Sequence, residues 1–392
     1  MSLHSTGQVA RVLAAWPPPS PHLQTSVVIP VRDEAETLPA TLAALAGQTG
    51  CGDLSDVEVL LLLNDCRDRS REVADRLACA VPRLRVLVAE AEPGAVGHVG
   101  VARAALMDAA CARLLSVGRP RGLVLTTDAD TRPAPDWIEA TRAEVTRGAD
   151  AVGGRVLIAP GERAALAPHV RRRLLLDIGY RRALERLRDL YAPDPHDPYP
   201  RHHQHYGASL AVTASAYARC GGMPPAPSSE DVALVHALLS SGARVRHSLT
   251  VRAWTSARRV GRAEGGLADA LAAWERARDE PRVEPAAAAD RRLRALGRQR
   301  RATPFLPPDL ALLATPELAP GALGEPISLA TRRLRERAEQ IAARPLAARL
   351  DAADLPDRPV AGRLTVAVPR ALPQRTFAGD GATQEAAVAV AA

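Results

Sequence analysis

The chain contains no lysine, so all 51 of its basic residues are arginine. Aromatic residues make up only 3% of it. The arginines are spread along amphipathic segments with acids between them, and no aromatic-basic module accompanies them, so nucleic acid is not an expected partner. Cys51, Cys66, Cys79, Cys111 and Cys220 are odd in number and never spaced C-x-x-C. That excludes a disulfide framework and a zinc knuckle, and it fits a reducing, cytoplasmic setting. No segment reaches 18 uncharged apolar residues, so no transmembrane segment is expected. The N-terminus has no apolar core of a leader, and Pro17-Pro18-Pro19 interrupts it early. The longest apolar candidate, Leu174-Leu175-Leu176, is flanked by Arg171, Arg172, Arg173, Arg181 and Arg182. An amphipathic helix is expected there, open to peripheral contact with a membrane surface.

What is present is ample apolar material. With 392 residues, 47% of them hydrophobic, the chain exceeds one ordinary domain and predicts a core plus an appendage. A formal charge of +7 and a pI of about 9.7 favour anionic partners such as nucleotides or phosphates.

Strand and helix signals alternate from residue 25. Thr25 to Val31 is a β-branched run, and Leu38, Leu42 and Leu45 then repeat with helical period up to Gly47. Val57 to Leu63 is apolar except at Glu58, a continuity that suggests burial on both faces, and ends at Asn64-Asp65. Asp68 or Ser70 can cap a helix carrying Val73 and Leu77, before a strand over 84–89. Another helix follows Pro135-Asp136, and 151–158 reads as a strand. This alternation predicts an α/β fold, a doubly wound sheet with right-handed crossovers. Beyond it the pattern predicts one long Arg-rich helix over 162–191, strands over 207–212 and 243–256, and accessory helices near 267–279, 288–299 and 328–343.

The most informative stretch is Leu123 to Asp130, an apolar run ending in two carboxylates one residue apart. In an extended chain residues two apart share a face, so Asp128 and Asp130 are expected to project together from the strand's carboxyl end. Ligands of open α/β sheets bind there. Paired hard oxygen ligands suit Mg²⁺ or Mn²⁺. The bland alternative is a strand running into a solvated acidic turn. Gly94, Gly97 and Gly100 also sit between a strand and a helix, but their spacing is G-x-x-G-x-x-G, so tight helix packing or a loop under a nucleotide explains them better than a dinucleotide fingerprint. His196, His202, His203 and His205 match no zinc spacing. Glu230-Asp231 opens a helix, where acids are ordinary dipole partners.

Together, VVIPVRDEAETL, LLLNDCRDRS, TTDAD, GASLAVTASAYARCGGM and SSEDVALVHAL resemble, in order, the glycosyltransferase family 2 catalytic domain of GT-A type. The resemblance covers about 25–256. It implies a doubly wound mixed sheet and a nucleotide-diphosphate sugar donor, with UDP as the nucleotide. Pro30, Arg32 and Glu34 would hold the nucleotide, Asn64 and Asp65 the base, and Arg103 the phosphate or sugar; the usual lysine before Arg103 is missing. Asp128 would lie at the ribose or metal, and Asp130 would ligate metal directly. Asp231, helped by Glu230, would be the general base for inverting transfer to a small-molecule, glycan or lipid acceptor. His247 is a further candidate metal ligand, and Arg258, Arg259 and Arg262 would close over the diphosphate. The expected layout is an extension 1–24, a donor half 25–158, an acceptor half 159–256, a helical accessory region 257–350 and a loosely ordered tail 351–392. A sugar-phosphate nucleotidyltransferase and a non-catalytic nucleotide-sugar binder are the competing readings. The first needs an early Gly-rich loop, and residues 25–40 have no glycine.

Overall fold

The computed structural model describes residues 13, 15–81, 83–224, 226, 229–261, 266–303, 310–313 and 324–344. The expected tail, 351–392, lies outside them. Strands β1 (Thr25–Val31), β2 (Val57–Leu63), β3 (Arg85–Glu90) and β4 (Leu123–Thr126) alternate with helices α1 (Leu38–Ala46), α2 (Ser70–Ala80) and α3 (Val99–Ser116). After β4 come a short β5 (Thr131–Pro133), α4 (Trp137–Thr146) and β6 (Ala151–Ile158). Then follow α5 (Pro160–Ala165), α6 (Pro168–Tyr191), a 3₁₀ turn (Gly207–Ser209), β7 (Leu210–Thr213), α7 (Ala214–Arg219), α8 (Glu230–Ser240) and β8 (Val245–Thr255). The sheet order is β3-β2-β1-β4-β7-β6-β8-β5. β1 pairs in parallel with β2 and β4, whereas β7 runs antiparallel to both β4 and β6.

The alternation of β2 explains why its sequence is apolar on both faces. Leu60 and Leu62 pack with Met107, Leu114 and Leu234 on one face, and Val59, Leu61 and Leu63 pack with Leu42, Leu45 and Trp137 on the other. One charge interrupts it. Glu58 is fully buried, forked by Arg113 at 2.7 and 2.8 Å and bonded by Ser26 at 2.9 Å, the condition under which a buried carboxylate is tolerated.

The single helix expected over 162–191 is broken. Pro168 lacks the N–H that would continue the ladder and pushes Ala167 to an extended ψ of 143°, so α5 and α6 are separate. α6 then packs through Tyr180, Leu184 and Leu187 against α10 (Ala286–Ala302) and, past a short α11 (Leu310–Leu313), α12 (Ile327–Ala342). This helical layer has its own core. α9 (Leu267–Arg276) joins α6 through Val170 and Leu271, and a two-strand ribbon pairs β9 (Arg282–Val283) with β10 (Glu325–Pro326). Among the described residues no helix is long and apolar enough to cross a membrane.

Candidate active site

The site is built where β4 ends beside the start of β7. Their antiparallel register sets Thr126 against Leu210, so the chain leaving β4 and the chain entering β7 share one edge. β4 stops at Thr126, earlier than the spacing argument assumed. Asp128 and Asp130 lie on a turn closed by the Thr131 N–H on the Asp128 carbonyl, not on an extended strand. The turn is pinned by Thr127 Oγ1 to the Ala208 carbonyl and Thr41 Oγ1 to the Ala129 carbonyl, both 2.9 Å. Asp128 still comes close enough to perturb Asp130. Burial, then Asp128 and Glu34, push the Asp130 carboxyl up to about 6 against the pull of Arg258.

Arg103 occupies the centre, 4% exposed. Its Nη2 donates to Asp128 Oδ1 at 2.7 Å and its Nε to Glu230 Oε1 at 3.0 Å, while Nη1 serves Thr126 Oγ1 and the Gly207 carbonyl. Burial alone would weaken the charged form, but Asp128 and Glu230 more than compensate and raise its pKa. Arg103 is thus a strut joining the two acidic motifs. Gly207 is required beneath it, since a Cβ there would lie 2.8 Å from the guanidinium carbon.

Asp231 stands on the far side of that strut. Its Oδ2 accepts from the Gly207 N–H and its Oδ1 from the Val232 N–H, both at 2.7 Å. The helix-start argument favours its ionised form, yet burial and then Glu230 raise its pKa, outweighing those N–H donors and Arg103. Desolvation wins because one turn of helix screens little of a buried charge.

On the donor side, Arg258 reaches from the end of β8 to Glu34 at 2.6 Å and Asp130 at 3.1 Å. Arg259 does not join it and turns to Glu275 of α9 at 2.8 Å. Arg262 lies outside the described residues. Glu34 is buried and also accepts from Thr37 Oγ1 at 2.7 Å. Pro30 is a strand residue opposite Leu62, and Arg32 lies in the turn just after β1. Asn64 is buried with its Oδ1 unpartnered, a polar atom poised at the carboxyl edge. Asp65, at φ 51°, accepts from the Gly94 N–H at 2.9 Å and borders a cavity of about 580 Å³ with Trp16, Cys66, Arg71 and Pro93. Gly100 serves packing, because a Cβ there would meet the Ala226 carbonyl at 2.4 Å and Glu230 at 3.2 Å.

His247 is placed elsewhere. Its Nδ1 pairs with Asp197 Oδ2 at 2.8 Å and its Nε2 with His205 Nδ1 at 2.9 Å, so neither nitrogen faces the Asp128–Asp130 turn. The expectation of a metal ligand there gives way to a buried structural pair. Among the described residues no three His, Cys, Asp or Glu side chains close on one point as a ready metal cage. The donor set nevertheless fits Mg²⁺ or Mn²⁺. Such ions take few protein carboxylates and complete their shell from phosphate and water, and Asp130 is a desolvated carboxylate beside Asp128.

Sequence reasoning missed Asp197, Thr126 and the role of Gly207. The small-residue entry Gly207-Ala208-Ser209 was the available signal for the last. Asp197 had none, since it lies in a Pro-rich loop far from β8 in sequence.

An open mixed α/β sheet with its polar cleft at the carboxyl edge defines the class. Residues 26–199 match the profile described as Glycosyl transferase family 2. The chain is 29% identical over 133 residues to "Glycosyltransferase AglE" of Haloferax volcanii, a match covering 33% of this chain and 38% of that protein's length. Solved structures with a similar outline include a mannosyltransferase from Pyrobaculum calidifontis in complex with GDP-Man and Mn²⁺, at 16% identity and a TM-score of 0.43, covering 90% of this chain and 82% of that one. Residues 1–349 of S. aureus TarS with UDP-GlcNAc show 14% identity and a TM-score of 0.43, covering 72% and 74%. Likenesses at that level do not bear on substrate.

Proposed function

We propose that the chain transfers a sugar from a nucleotide-diphosphate sugar, with UDP as the nucleotide, to an acceptor hydroxyl with inversion. The observation that carries this is the single buried guanidinium of Arg103 joining the Asp128 turn to Glu230 and hence to Asp231. Two acidic centres with different duties are thereby fixed on one edge.

Asp231 takes the acceptor proton as the hydroxyl oxygen attacks the anomeric carbon. The bond from that carbon to the diphosphate oxygen breaks on the opposite face, and the nucleoside diphosphate leaves. Its raised pKa makes Asp231 a better proton acceptor than an ordinary aspartate. Asp128 and Asp130 would hold Mg²⁺ or Mn²⁺, which supplies charge neutralisation for the departing diphosphate. Glu34 and Asn64 border the nucleotide, Asp65 meets the base at the 580 Å³ cavity, and Arg258 is the cation that remains near the diphosphate.

The test is a panel of nucleotide sugars incubated with the purified full chain, with and without Mn²⁺, scored by nucleoside-diphosphate release and thermal shift. One donor is expected to add about 2.7 kcal/mol of stability at a hundred times its dissociation constant. A chain that neither binds nor consumes any donor in the panel refutes the reading.

A further inference from the structure

Away from the cleft, α6 and α12 leave a groove of about 500 Å³ between them. Its floor includes Leu175, Leu176 and Gly179, and its α12 wall carries Thr331, Arg332 and Arg335. Leu175 is 65% exposed, far more than the other large apolar side chains of the helical layer. Gly179 lets the second helix approach, since a Cβ there would already touch Arg335 Nη2 at 3.4 Å. Along α6, Arg172, Leu175, Gly179 and Arg182 recur at spacings of three, four and three and so share one face.

The charges around that face are unusual for this protein. Most arginines of the helical layer are paired, as Arg333 is with Glu325 and Arg337 with Asp290. Arg172, Arg182, Arg332 and Arg335 are all exposed; Ser328 and, to a lesser degree, the nearby Arg172 lower the pKa of Glu280, and the other three arginines make no hydrogen bond or ion pair with a described residue. Glu336 and Glu339 also line the groove and balance Arg332 and Arg335, so the excess positive charge comes from Arg172 and Arg182 on the adjoining α6 face. An exposed leucine ringed by unpaired cations on a helix surface is the pattern of an element that lies in the headgroup region of a bilayer. The arginines meet lipid phosphates, and Leu175 reaches the acyl boundary.

We infer that the α6–α12 face docks on the surface of a membrane containing anionic phospholipid, with Leu175 inserted and Arg332 and Arg335 on headgroup phosphates. The inference does not depend on the proposed transfer reaction.

The full chain is floated with vesicles of phosphatidylcholine alone and of phosphatidylcholine with phosphatidylglycerol, at low and high salt. Binding is expected only to the anionic vesicles and weakens as salt rises. Arg332→Gln with Arg335→Gln is expected to lower the partition constant about 25-fold, at roughly fivefold per arginine. Leu175→Ser is expected to cost about tenfold, whereas Leu115→Ser, on the exposed side of α3, changes nothing. Thermal unfolding of each variant verifies its fold, and if the double variant does not fold, Leu175→Ser decides alone. Equal binding to neutral vesicles, wild-type binding by folded variants, or no vesicle binding with self-association on gel filtration each overturns the inference. So does binding to a DNA duplex lost with the same arginines in place of binding to vesicles. Donor consumption in solution should be the same in all of these variants, so a failure here leaves the proposed activity untouched.

Discussion

Arg103→Met removes the strut while keeping most of its volume. Glu230, whose side chain is 7% exposed, loses its guanidinium partner and is left as a buried carboxylate. Breaking such a pair costs about 3–5 kcal/mol. Asp128 is 36% exposed, so water screens its loss, and it adds at most about 1 kcal/mol. The Gly207 carbonyl and Thr126 hydroxyl also lose a donor, but these losses are coupled to the first and are not summed with it. Urea unfolding should therefore show a loss of about 3–5 kcal/mol. Arg103→Met with Glu230→Leu should recover a large part of it, because the orphaned charge is then gone. If Arg103 instead met the donor's phosphate or sugar, its removal would raise the KM for donor and leave stability within about 1 kcal/mol. A stability loss that small, in a folded variant, refutes the strut.

Asp130 has a folded pKa raised to about 6 from 3.8, so between those values the folded chain holds a proton that the unfolded chain releases. Its contribution to stability falls as pH rises through that window. Asp130→Asn should flatten the fall measured without metal and abolish any gain from Mn²⁺; identical pH slopes for both chains would count against it. Asp197 is the opposite case: burial pushes its pKa up, but His247 and Arg201 hold it well below the ordinary range. Its stabilisation is full above pH 4 and is lost as pH falls below, and Asp197→Asn should cost about 3–5 kcal/mol at pH 7 in thermal or urea unfolding. Asp231→Asn should lower kcat by about 10² or more with donor affinity kept. Asparagine has one acceptor oxygen for two backbone N–H groups, so it should also cost about 1 kcal/mol of stability. Turnover near that of the wild type removes Asp231 from the reaction.

Much of the sheet was legible because its strands obey local rules. Val57 to Leu63 must be buried on both faces, and it is, with Glu58 the one residue whose partner could not be foreseen. Pro135-Asp136 starts α4, and the acids at 230 and 231 open α8, as their types require. What could not be read from the sequence rested on long-range partners. Arg103 was assigned to ligand by its place in a motif, but its neighbours are Asp128 and Glu230, 25 and 127 residues away. Arg258 and Arg259 are adjacent and alike in type, and only the position of Glu275 on α9 separates their fates. His247 is a good ligand in isolation, and Asp197 took it.

The reversed direction of β7 has a consequence for how this domain can vary. Residues 159–206 leave β6 and return to the sheet at the turn before β7, with β6 and β7 hydrogen-bonded to each other. Both ends of that excursion are thus fixed by neighbouring strands, while its helix α6 packs on α9, α10 and α12. Lengthening or exchanging it need not move Asp128, Gly207 or Asp231, whose mutual positions are set by the β4–β7 register and by Arg103. A graft that replaces 160–196, keeps the apolar face that α6 offers to α10 and α12, and preserves the Asp197–His247 clasp is the natural way to change what this chain sits on or acts upon while leaving its acidic edge intact.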